Sequence, residues 1–371
     1  MSDVAGSRVL TAAEIAEILG GAVLGDPTLT ISSVAFLDHA STHDLSYVAD
    51  QRNASRISAT AARLLLAPVP LRHLSAMYPD RTFVLVDDPE AALLLIAGLL
   101  KPVRPSQRRG ISERAVIDGS AQVLGNTNIG PFAVVGRDVV IGHNCDIHAG
   151  VVIGDGCRIG DHVTIHPNTV LYPDCVLGHH VVIHAACVIG SDGFGYRTVN
   201  GGHERLPHHG IVRICDDVEI GAGTTIDRAK VGETVIGTGT RIDNQVMIAH
   251  NCRIGKHNLL VSQVGFAGSV TTGDYVVCAG QVGIADHVHL GTGAVIGAKA
   301  GVHRDMPGGQ SYLGIPAAPA AETTRQLTAL RRLPELRNTI RQMEKDLAQL
   351  REQMALLPGI QIMAESKLKA A

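Results

Sequence analysis

The stretch IGTGTRIDNQVMIAH, residues 236–250, carries the repeat that decides the fold, because an aliphatic residue returns at every sixth position. Downstream the same spacing continues to Val302, and only Thr272 and Cys278 weaken it. Upstream it holds for thirteen consecutive positions, from Ile117 to Ile189. A helical period cannot produce a strict spacing of six, whereas the hexapeptide repeat of a parallel β-helix does. The sequence therefore predicts a mainly β protein built around such a β-helix.

Three hexads complete one coil of a triangular prism, so residues 18 apart should stack at about 4.8 Å, the spacing of neighbouring strands. We expect this prism to span residues 111–304. Two segments break the repeat and are predicted to loop out. One is the insertion SDGFGYRTVNGGHERLPHHG, residues 191–210, and the other is residues 227–233, where the aliphatic spacing rises from six to ten. Excursions from a solenoid often carry its function.

The segments on either side of the prism lack the repeat. Residues 1–105 predict a small α/β domain whose first helix begins at a capping box, Thr11 with Glu14. The Pro- and Arg-rich residues 101–110 predict a linker. Residues 320–356 predict C-terminal helices interrupted at Pro334, because proline lacks a backbone N–H. After Pro334 the apolar spacing alternates between four and three, a heptad seam that needs partner helices and therefore predicts an oligomer.

Composition excludes several classes of protein. The 371 residues carry a net charge of −3, which gives no overall basic field for nucleic acid. The apolar segment 91–100 is too short to span a membrane, and the N-terminus lacks a basic region followed by an apolar core. We therefore expect a cytoplasmic protein. The seven cysteines form no CxxC pair and are expected to be small buried thiols rather than disulfides.

The residues most able to carry chemistry surround His250, which should face outward at a corner of the prism. Asp243 is a candidate to orient its imidazole and support a general base. Gly268 lies one coil further on and could offer a backbone N–H to an oxyanion, and His287 lies two coils and one residue away, at roughly 10 Å. Further polar groups nearby are Asn244, Gln245 and Asn251. The alternative is that His250 is one surface histidine among 18.

A second histidine pattern consists of His148, His166 and His184, which are each 18 residues apart. They are either ligands of a metal held between subunits or a stack of polar side chains. A straight row converges poorly on one ion with bonds of about 2.1 Å, so we expect the stack and no metal site. His208 and His209, in the insertion, are expected to be solvated.

The C-terminal segment is basic before and just after Pro334. Its arginines form either the solvated face of a coiled coil or a docking patch for an acidic protein. The four candidates for docking are Arg325, Arg331, Arg332 and Arg337.

Four motifs carry a resemblance to a known family: GSDGFGY at 190–196, DDVEIGAGTTIDR at 216–228, IDNQVMIAHNCRIG at 242–255 and QVGFAGS at 263–269. These motifs resemble those of the UDP-3-O-(3-hydroxyacyl)glucosamine N-acyltransferases of lipid A synthesis, and the resemblance extends over nearly the whole chain. The resemblance implies a left-handed prism and a homotrimer with active sites between adjacent prisms. It also implies acyl transfer from the phosphopantetheine of acyl carrier protein to the 2-amine of a UDP-sugar, with no other cofactor.

The resemblance also implies roles for single residues. His250 matches the catalytic base, with Asp243 preceding it, Gly268 matches the oxyanion donor and His287 a second active-site histidine. The remaining substrate-binding positions are Asn244, Gln245 and Asn251, with Phe194 and Tyr196 in the insertion and Tyr47, Asp50 and Asn53 in the N-terminal domain. Because Asn53 replaces the family's second aromatic, we expect a one-sided stack on uracil.

Besides a non-catalytic trimeric scaffold, two other functions remain open for this fold. One is an acyl- or acetyltransferase that uses coenzyme A and another sugar nucleotide. The other is a metal-dependent hydratase, for which His148, His166 and His184 would be the ligands. Hexapeptide prisms host more than one chemistry, so the fold alone does not separate these alternatives.

Overall fold

The computed structural model describes residues 8–101, 110–313 and 320–355. The chain divides into two compact units, Met1–Gln107 and Arg108–Ala371. The linker predicted at 101–110 lies almost wholly outside the described residues.

The N-terminal unit is an α/β fold around a five-stranded sheet with the strand order β2-β7-β6-β5-β4. Side chains alternate across strand β6, so that Leu64 and Leu66 pack beneath one set of helices while Leu65 enters a second apolar cluster on the other face. Helix α1 begins at the predicted capping box of Thr11 and Glu14. The elements are β1 (Leu10–Thr11), α1 (Ala12–Leu19), β2 (Ala22–Leu24), β3 (Thr30–Ile31), β4 (Ser33–Val34), β5 (Asp44–Tyr47), α2 (Gln51–Ala54), β6 (Leu64–Pro68), α3 (Leu74–Met77), β7 (Thr82–Val86) and α4 (Pro89–Leu100), with short 3₁₀ turns at Ser55–Ser58 and Val69–Leu71.

The second unit is the predicted left-handed parallel β-helix. Its strands form three parallel sheets of 10, 10 and 9 strands, and we call these sheets faces 1, 2 and 3. Neighbouring strands pair with an offset of 18 residues, as Ile141 does with Ile159. The register of the coils therefore follows directly from the repeat.

The strands of the β-helix are mostly two residues long. Face 1 contains β10 (Asn128–Ile129), β13 (Asp146–Ile147), β16 (Thr164–Ile165), β19 (Val182–Ile183), β24 (Glu219–Ile220), β27 (Arg241–Ile242), β30 (Leu259–Leu260), β33 (Val277–Cys278), β36 (Val295–Ile296) and β38 (Ser311–Tyr312). Face 2 contains β8 (Val116–Ile117), β11 (Val134–Val135), β14 (Val152–Ile153), β17 (Val170–Leu171), β20 (Val188–Asp192), β25 (Thr225–Arg228), β28 (Met247–Ile248), β31 (Gly265–Phe266), β34 (Gly283–Ile284) and β37 (Gly301–Val302). Face 3 contains β9 (Gln122–Val123), β12 (Val140–Ile141), β15 (Arg158–Ile159), β18 (Val176–Leu177), β23 (Ile211–Ile214), β26 (Glu233–Ile236), β29 (Arg253–Ile254), β32 (Thr271–Thr272) and β35 (His289–Leu290).

The interior of the prism holds the repeat aliphatics and most of the cysteines. All seven cysteines are free, and six of them are buried, which leaves only Cys215 partly accessible. The buried thiols are part of the apolar interior of the prism, together with alanine and valine side chains. Strand β38 continues the prism to Tyr312, beyond residue 304, where the aliphatic spacing stops.

The insertion forms an antiparallel hairpin of β21 (Tyr196–Val199) and β22 (Gly202–Arg205) between faces 2 and 3. The second predicted loop, 227–233, instead contributes to the longer strands β25 and β26, with a short turn between them. The two strands preserve the parallel pairing of the coils, so only the few residues of that turn leave the prism.

The C-terminal helix corrects the expectation of an interruption at Pro334. Helix α5 runs continuously over Ala320–Ala355, with Pro334 inside it. The described side chains around it are exposed, so water can satisfy the backbone carbonyl that proline leaves without a donor. The apolar seam from Leu336 to Met354 is exposed along the whole helix. No helix in residues 8–101, 110–313 or 320–355 is long and apolar enough to cross a membrane.

Candidate active site

His250 lies at the corner that follows strand β28, and its imidazole packs against the backbone of the next coil. The contact is with Gly268, which is 18 residues further on. A β-carbon on Gly268 would come within 2.6 Å of His250 Cε1 and 2.8 Å of Nε2. Real side chains do not approach this closely, so only glycine leaves room for the ring in this position.

Asn251 fixes the tautomer of His250. Its Oδ1 already accepts the Lys230 backbone N–H (3.0 Å), while its Nδ2 donates to the Val231 carbonyl (3.0 Å). The orientation of the amide is therefore set, and Oδ1 is the atom that faces His250 Nδ1 at 3.2 Å. Because an amide oxygen only accepts, Nδ1 carries the proton and Nε2 keeps its lone pair. The lone pair lies on the side of Gly268.

The surroundings favour the neutral imidazole. Burial lowers the pKa of His250, and the hydrogen bond from Nδ1 to Asn251 opposes this effect. The nearby charge of Lys230 and the neighbouring imidazoles of His208 and His287 lower the pKa further. A neutral imidazole with a free Nε2 is the form that a general base requires at neutral pH.

Gly268 offers a hydrogen-bond donor beside this base. Its carbonyl accepts the His287 N–H at 3.0 Å, which fixes the peptide that follows it. Its own N–H donates to no acceptor among the described residues. Base and free donor therefore lie in adjacent coils at one corner, an arrangement suited to a reaction that develops negative charge on oxygen.

Asp243 does not support His250 within the chain, contrary to the expectation. It follows strand β27 and so lies at the preceding corner of the prism. Its Oδ1 accepts the Asn244 N–H (2.7 Å), and its Oδ2 accepts the hydroxyl and the N–H of Ser262. These bonds hold the pKa of Asp243 below its usual value. A separation of seven residues moves around the prism to another corner, and from that corner the carboxylate bonds to Asn244 and Ser262 instead of His250.

Asn244 and Gln245 lie at the corner of Asp243 rather than beside His250. Asn244 Oδ1 accepts the Ala222 N–H, and the Gln245 side chain heads a ladder of stacked glutamine amides that continues one and two coils further on. Asp243 and Asn244 line a cavity of about 510 Å³ together with face-1 side chains. The other polar side chains that line this cavity are His184, Glu219 and Arg241.

The insertion brings an unexpected residue to His250. His208, expected to be solvated, is only 5% exposed, and its ring lies edge-on to His250 with centroids 5.3 Å apart. No sequence offset could reveal this contact, because the insertion has no repeat. Phe194 and Tyr196, predicted to bind substrate, contact each other at 5.0 Å and remain exposed. His287 is also exposed and lies one coil beyond Gly268.

The N-terminal unit contains its own candidate site around Tyr47. Phe36 lies edge-on to Tyr47 with ring centroids 6.2 Å apart, and both line a cavity of about 310 Å³ with Asn53 and Arg56. Phe36 thus supplies a second aromatic ring beside Tyr47, which the expectation of a one-sided stack did not foresee. Asp50 instead caps helix α2 by accepting the Asn53 N–H at 3.0 Å.

The histidine row forms a stack, as its spacing predicts. The rings of His148 and His166 have centroids 4.8 Å apart, and those of His166 and His184 are 5.0 Å apart. His184 Nε2 also faces Glu219 Oε1 at 3.1 Å. Within the described ranges, no group of three or more His, Cys, Asp or Glu side chains is arranged to hold a metal ion. The four docking candidates, Arg325, Arg331, Arg332 and Arg337, are exposed on α5.

This chain is similar in sequence to a family of hexapeptide-repeat transferases and to curated N-acyltransferases. A family model described as bacterial transferase hexapeptide (six repeats) matches residues 120–155 and 156–191. The UDP-3-O-acylglucosamine N-acyltransferase of Syntrophus aciditrophicus (strain SB) is 44% identical over 91% of this chain and 92% of its own length. The enzyme of the same name from Methylobacillus flagellatus is 42% identical over 90% of this chain and 95% of its own. Among solved structures, the UDP-N-acetylglucosamine acyltransferase of Francisella novicida is 28% identical, covering 58% of this chain and 72% of that one with a TM-score of 0.41.

Proposed function

This chain belongs to the family of UDP-3-O-acylglucosamine N-acyltransferases, and from that premise we propose that it transfers a 3-hydroxyacyl chain to the 2-amine of UDP-3-O-(3-hydroxyacyl)glucosamine in lipid A biosynthesis. The observation that carries the proposal is the pairing of a neutral imidazole with a free backbone donor. His250 Nε2 has its lone pair available, and the Gly268 N–H beside it has no acceptor in the ranges 8–101, 110–313 and 320–355. Aminolysis of a thioester needs both a proton acceptor and an oxyanion donor.

The reaction divides between these two groups. As the substrate amine attacks the thioester carbonyl carbon, Nε2 of His250 takes a proton from the nitrogen. The carbonyl oxygen becomes an oxyanion and accepts the Gly268 N–H. When the tetrahedral intermediate collapses, the carbon–sulfur bond breaks and the thiolate takes the proton from the imidazolium. Asn251 Oδ1 holds the Nδ1 proton throughout, so that the imidazolium is stabilised and the tautomer is restored.

The proposed acyl donor is acyl carrier protein, with the acyl group on its phosphopantetheine and no further cofactor on the enzyme. The exposed arginines of α5 support this donor, because a row of fixed positive charges attracts an acidic carrier. Coenzyme A thioesters are the alternative donor. Assays with both donors separate the two, and exclusive use of coenzyme A would overturn this part of the proposal.

The proposal includes a homotrimer, as the resemblance of the motifs implies. Its support in this chain is the apolar seam of α5, which is exposed in one copy and has the spacing of a coiled coil. In the N-terminal unit, the rings of Phe36 and Tyr47 are the proposed platform for the uracil of the acceptor, and Asn53 lines the same cavity. An aromatic platform of this kind contributes about 0.5–1.5 kcal/mol beyond area burial.

The decisive experiment compares wild type with His250→Ala, using a 3-hydroxyacyl carrier protein and the acylated UDP-sugar, with mass spectrometry of the product. Loss of the general base should lower kcat by about 10²–10⁴-fold. His289→Ala is the matched control, since His289 is an exposed histidine on strand β35 of face 3. Turnover of His250→Ala near that of the wild type would contradict the mechanism.

A further inference from the structure

The backbone that directly follows His208 is held in place by hydrogen bonds to the prism. Its neighbour His209 donates its backbone N–H to the Lys230 carbonyl (3.0 Å), and the Gly210 N–H donates to the Ala229 carbonyl (2.9 Å). Since Lys230 and Ala229 directly follow strand β25, the end of the insertion is fastened to the prism beside His250. The backbone hydrogen bonds therefore bring His208 to the corner at which His250 lies.

The first residues of the insertion and the end of its hairpin are also held by side-chain contacts. The Ser191 hydroxyl donates to Oδ1 of the buried Asp227 at 3.0 Å. Arg205, at the end of the hairpin, forms an ion pair with Asp192 at 2.5 Å. These contacts join both ends of the insertion to each other and to the adjacent coil, so that the insertion can hold a side chain against the catalytic corner.

The ring of His208 makes one hydrogen bond to the described residues. Its Nδ1 lies 3.1 Å from the Leu206 carbonyl oxygen, which can only accept, so Nδ1 carries the proton. Its Nε2 therefore has a lone pair, and this atom is buried with no partner in the described part of the chain. A buried acceptor without a donor is unfavourable, and native structures contain few of them. The hydrogen bonds of the ring alone therefore do not explain why it is buried here, and its packing has to be considered as well.

The ring packs into a cluster with His250 and two glycines. A β-carbon on Gly193 would come within 2.9 Å of His250 Cβ and Cδ2 and 3.1 Å of His208 Nε2. A β-carbon on Gly195 would come within 2.7 Å of His208 Cε1. The two glycines of the DGFG motif therefore allow both rings to approach the same strip of backbone. No side chain at positions 193 and 195 could be added without displacing one of them.

We propose that His208 is a positioning residue for the catalytic base: its edge contact fixes the ring plane of His250 and keeps water from that side of the imidazole. This inference rests on the proposed function, in which His250 is the base. His208 does not touch the substrate, because its free nitrogen is buried. It acts through the geometry and the solvation of His250.

Charged and titratable groups face both rings. Those that face His250 are Lys230, His208 and His287. Those that face His208 are Asp192, Lys230 and Arg205 in addition to His250. Burial is the main cause that lowers the pKa of His250, so opening one side of this ring to water should raise that pKa. Because the neutral form is active, the acid limb of kcat/KM would then move to higher pH.

The test is the pH dependence of kcat/KM for His208→Ala and His208→Phe. His208→Ala should lower kcat about tenfold, since a misplacement of the base by about 1 Å costs up to 10²-fold, and should move the acid limb to higher pH. His208→Phe keeps the aromatic edge without the nitrogen, so both kcat and the acid limb should return towards wild type. His209→Ala, an exposed neighbour, is the matched control and should behave like wild type.

Two outcomes would overturn the inference. One is that His208→Ala leaves kcat and the acid limb unchanged. The other is a loss of kcat with the acid limb in its wild-type position and no rescue by phenylalanine, which is the result of a purely structural defect. Thermal unfolding of each variant shows whether the fold has been retained. His250→Ala in the same assay separates the two proposals, because a fully active His250→Ala contradicts the base itself, whereas an unshifted His208→Ala contradicts only the role of His208.

Discussion

Gly268→Ala is the most direct test of how His250 is held. The added methyl would lie 2.6 Å from His250 Cε1, whereas an ordinary carbon–carbon contact is about 3.5 Å. The ring must therefore move by about 0.9 Å, and Nε2 moves with it. Gly268 does not have a positive φ, so alanine is compatible with its backbone conformation. The substitution thus displaces the base without changing the coil.

A displacement of this size is large for catalysis and small for stability. Misplacing a catalytic group by about 1 Å costs on the order of 10²-fold, or about 2.7 kcal/mol of transition-state stabilisation. His250 is only half-buried, so its ring can give way, and the free energy of unfolding should fall by about 1 kcal/mol or less, the lower end of the cost of overpacking. We therefore expect kcat to fall about 100-fold while the denaturant midpoint changes little.

The matched control is Gly119→Ala. Gly119 stands two residues after the inward Ile117, as Gly268 stands two residues after Phe266, and both follow strands of face 2. A β-carbon on Gly119 would meet no atom within 4 Å. Steady-state kinetics with the carrier-protein donor and urea unfolding should be measured for both variants. If Gly268→Ala keeps kcat within about twofold of wild type, the close contact is not what positions the base.

Three further predictions follow from other contacts. Asn251→Ala removes the acceptor that fixes the His250 tautomer, so kcat should fall by about 10–10²-fold, and the free energy of unfolding in urea should fall by about 1–3 kcal/mol because the Lys230 N–H loses its partner. Reversal of Arg331, Arg332 and Arg337 to Glu should raise the carrier-protein KM and flatten its dependence on salt, while sedimentation shows the trimer intact; an unchanged KM would assign α5 to assembly alone. Burial raises the pKa of Asp227 from 3.8 to about 6, so between these values the folded state retains a proton that the unfolded state has lost. The free energy of unfolding should therefore fall as pH rises from about 4 to 6. Asp227→Asn should abolish this fall and raise the free energy of unfolding in urea at pH 7.5 by up to about 3 kcal/mol.

The repeat made part of the site predictable by counting. Because residues 18 apart occupy the same position in adjacent coils, the contact between His250 and Gly268 follows from their numbers alone. The same counting puts Asp243 at the neighbouring corner of the prism, but it does not tell which partners its carboxylate takes there. The neighbour that does fix the imidazole is Asn251, whose side chain bends back towards Val231. Nothing in a six-residue pattern encodes that bend.

Residues outside the repeat could not be placed in this way. His208 and Phe36 both lie in irregular segments, where sequence distance says nothing about spatial distance. The contacts of these two residues could not be predicted, because their positions depend on backbone hydrogen bonds or on strand order, which no local sequence pattern indicates. The predicted interruption of the C-terminal helix at Pro334 was wrong for a different reason. Helix propensity is a weak prior, and an exposed helix can replace one lost hydrogen bond with a bond to water.

The insertion explains how a regular prism can carry a base. In the uninterrupted coils, an imidazole at a corner is covered only by the side chains stacked in neighbouring coils, as His166 is by His148 and His184. His250 differs because the segment 191–210 folds back and places Gly193 and His208 against its ring. Burial is the main cause that lowers the pKa of His250, and part of the cover that buries this ring comes from an excursion from the coil. The insertion that breaks the repeat therefore also shapes the surroundings of His250. The prism contributes Gly268 on one side of the imidazole, and the insertion contributes Gly193 and His208, which cover the ring.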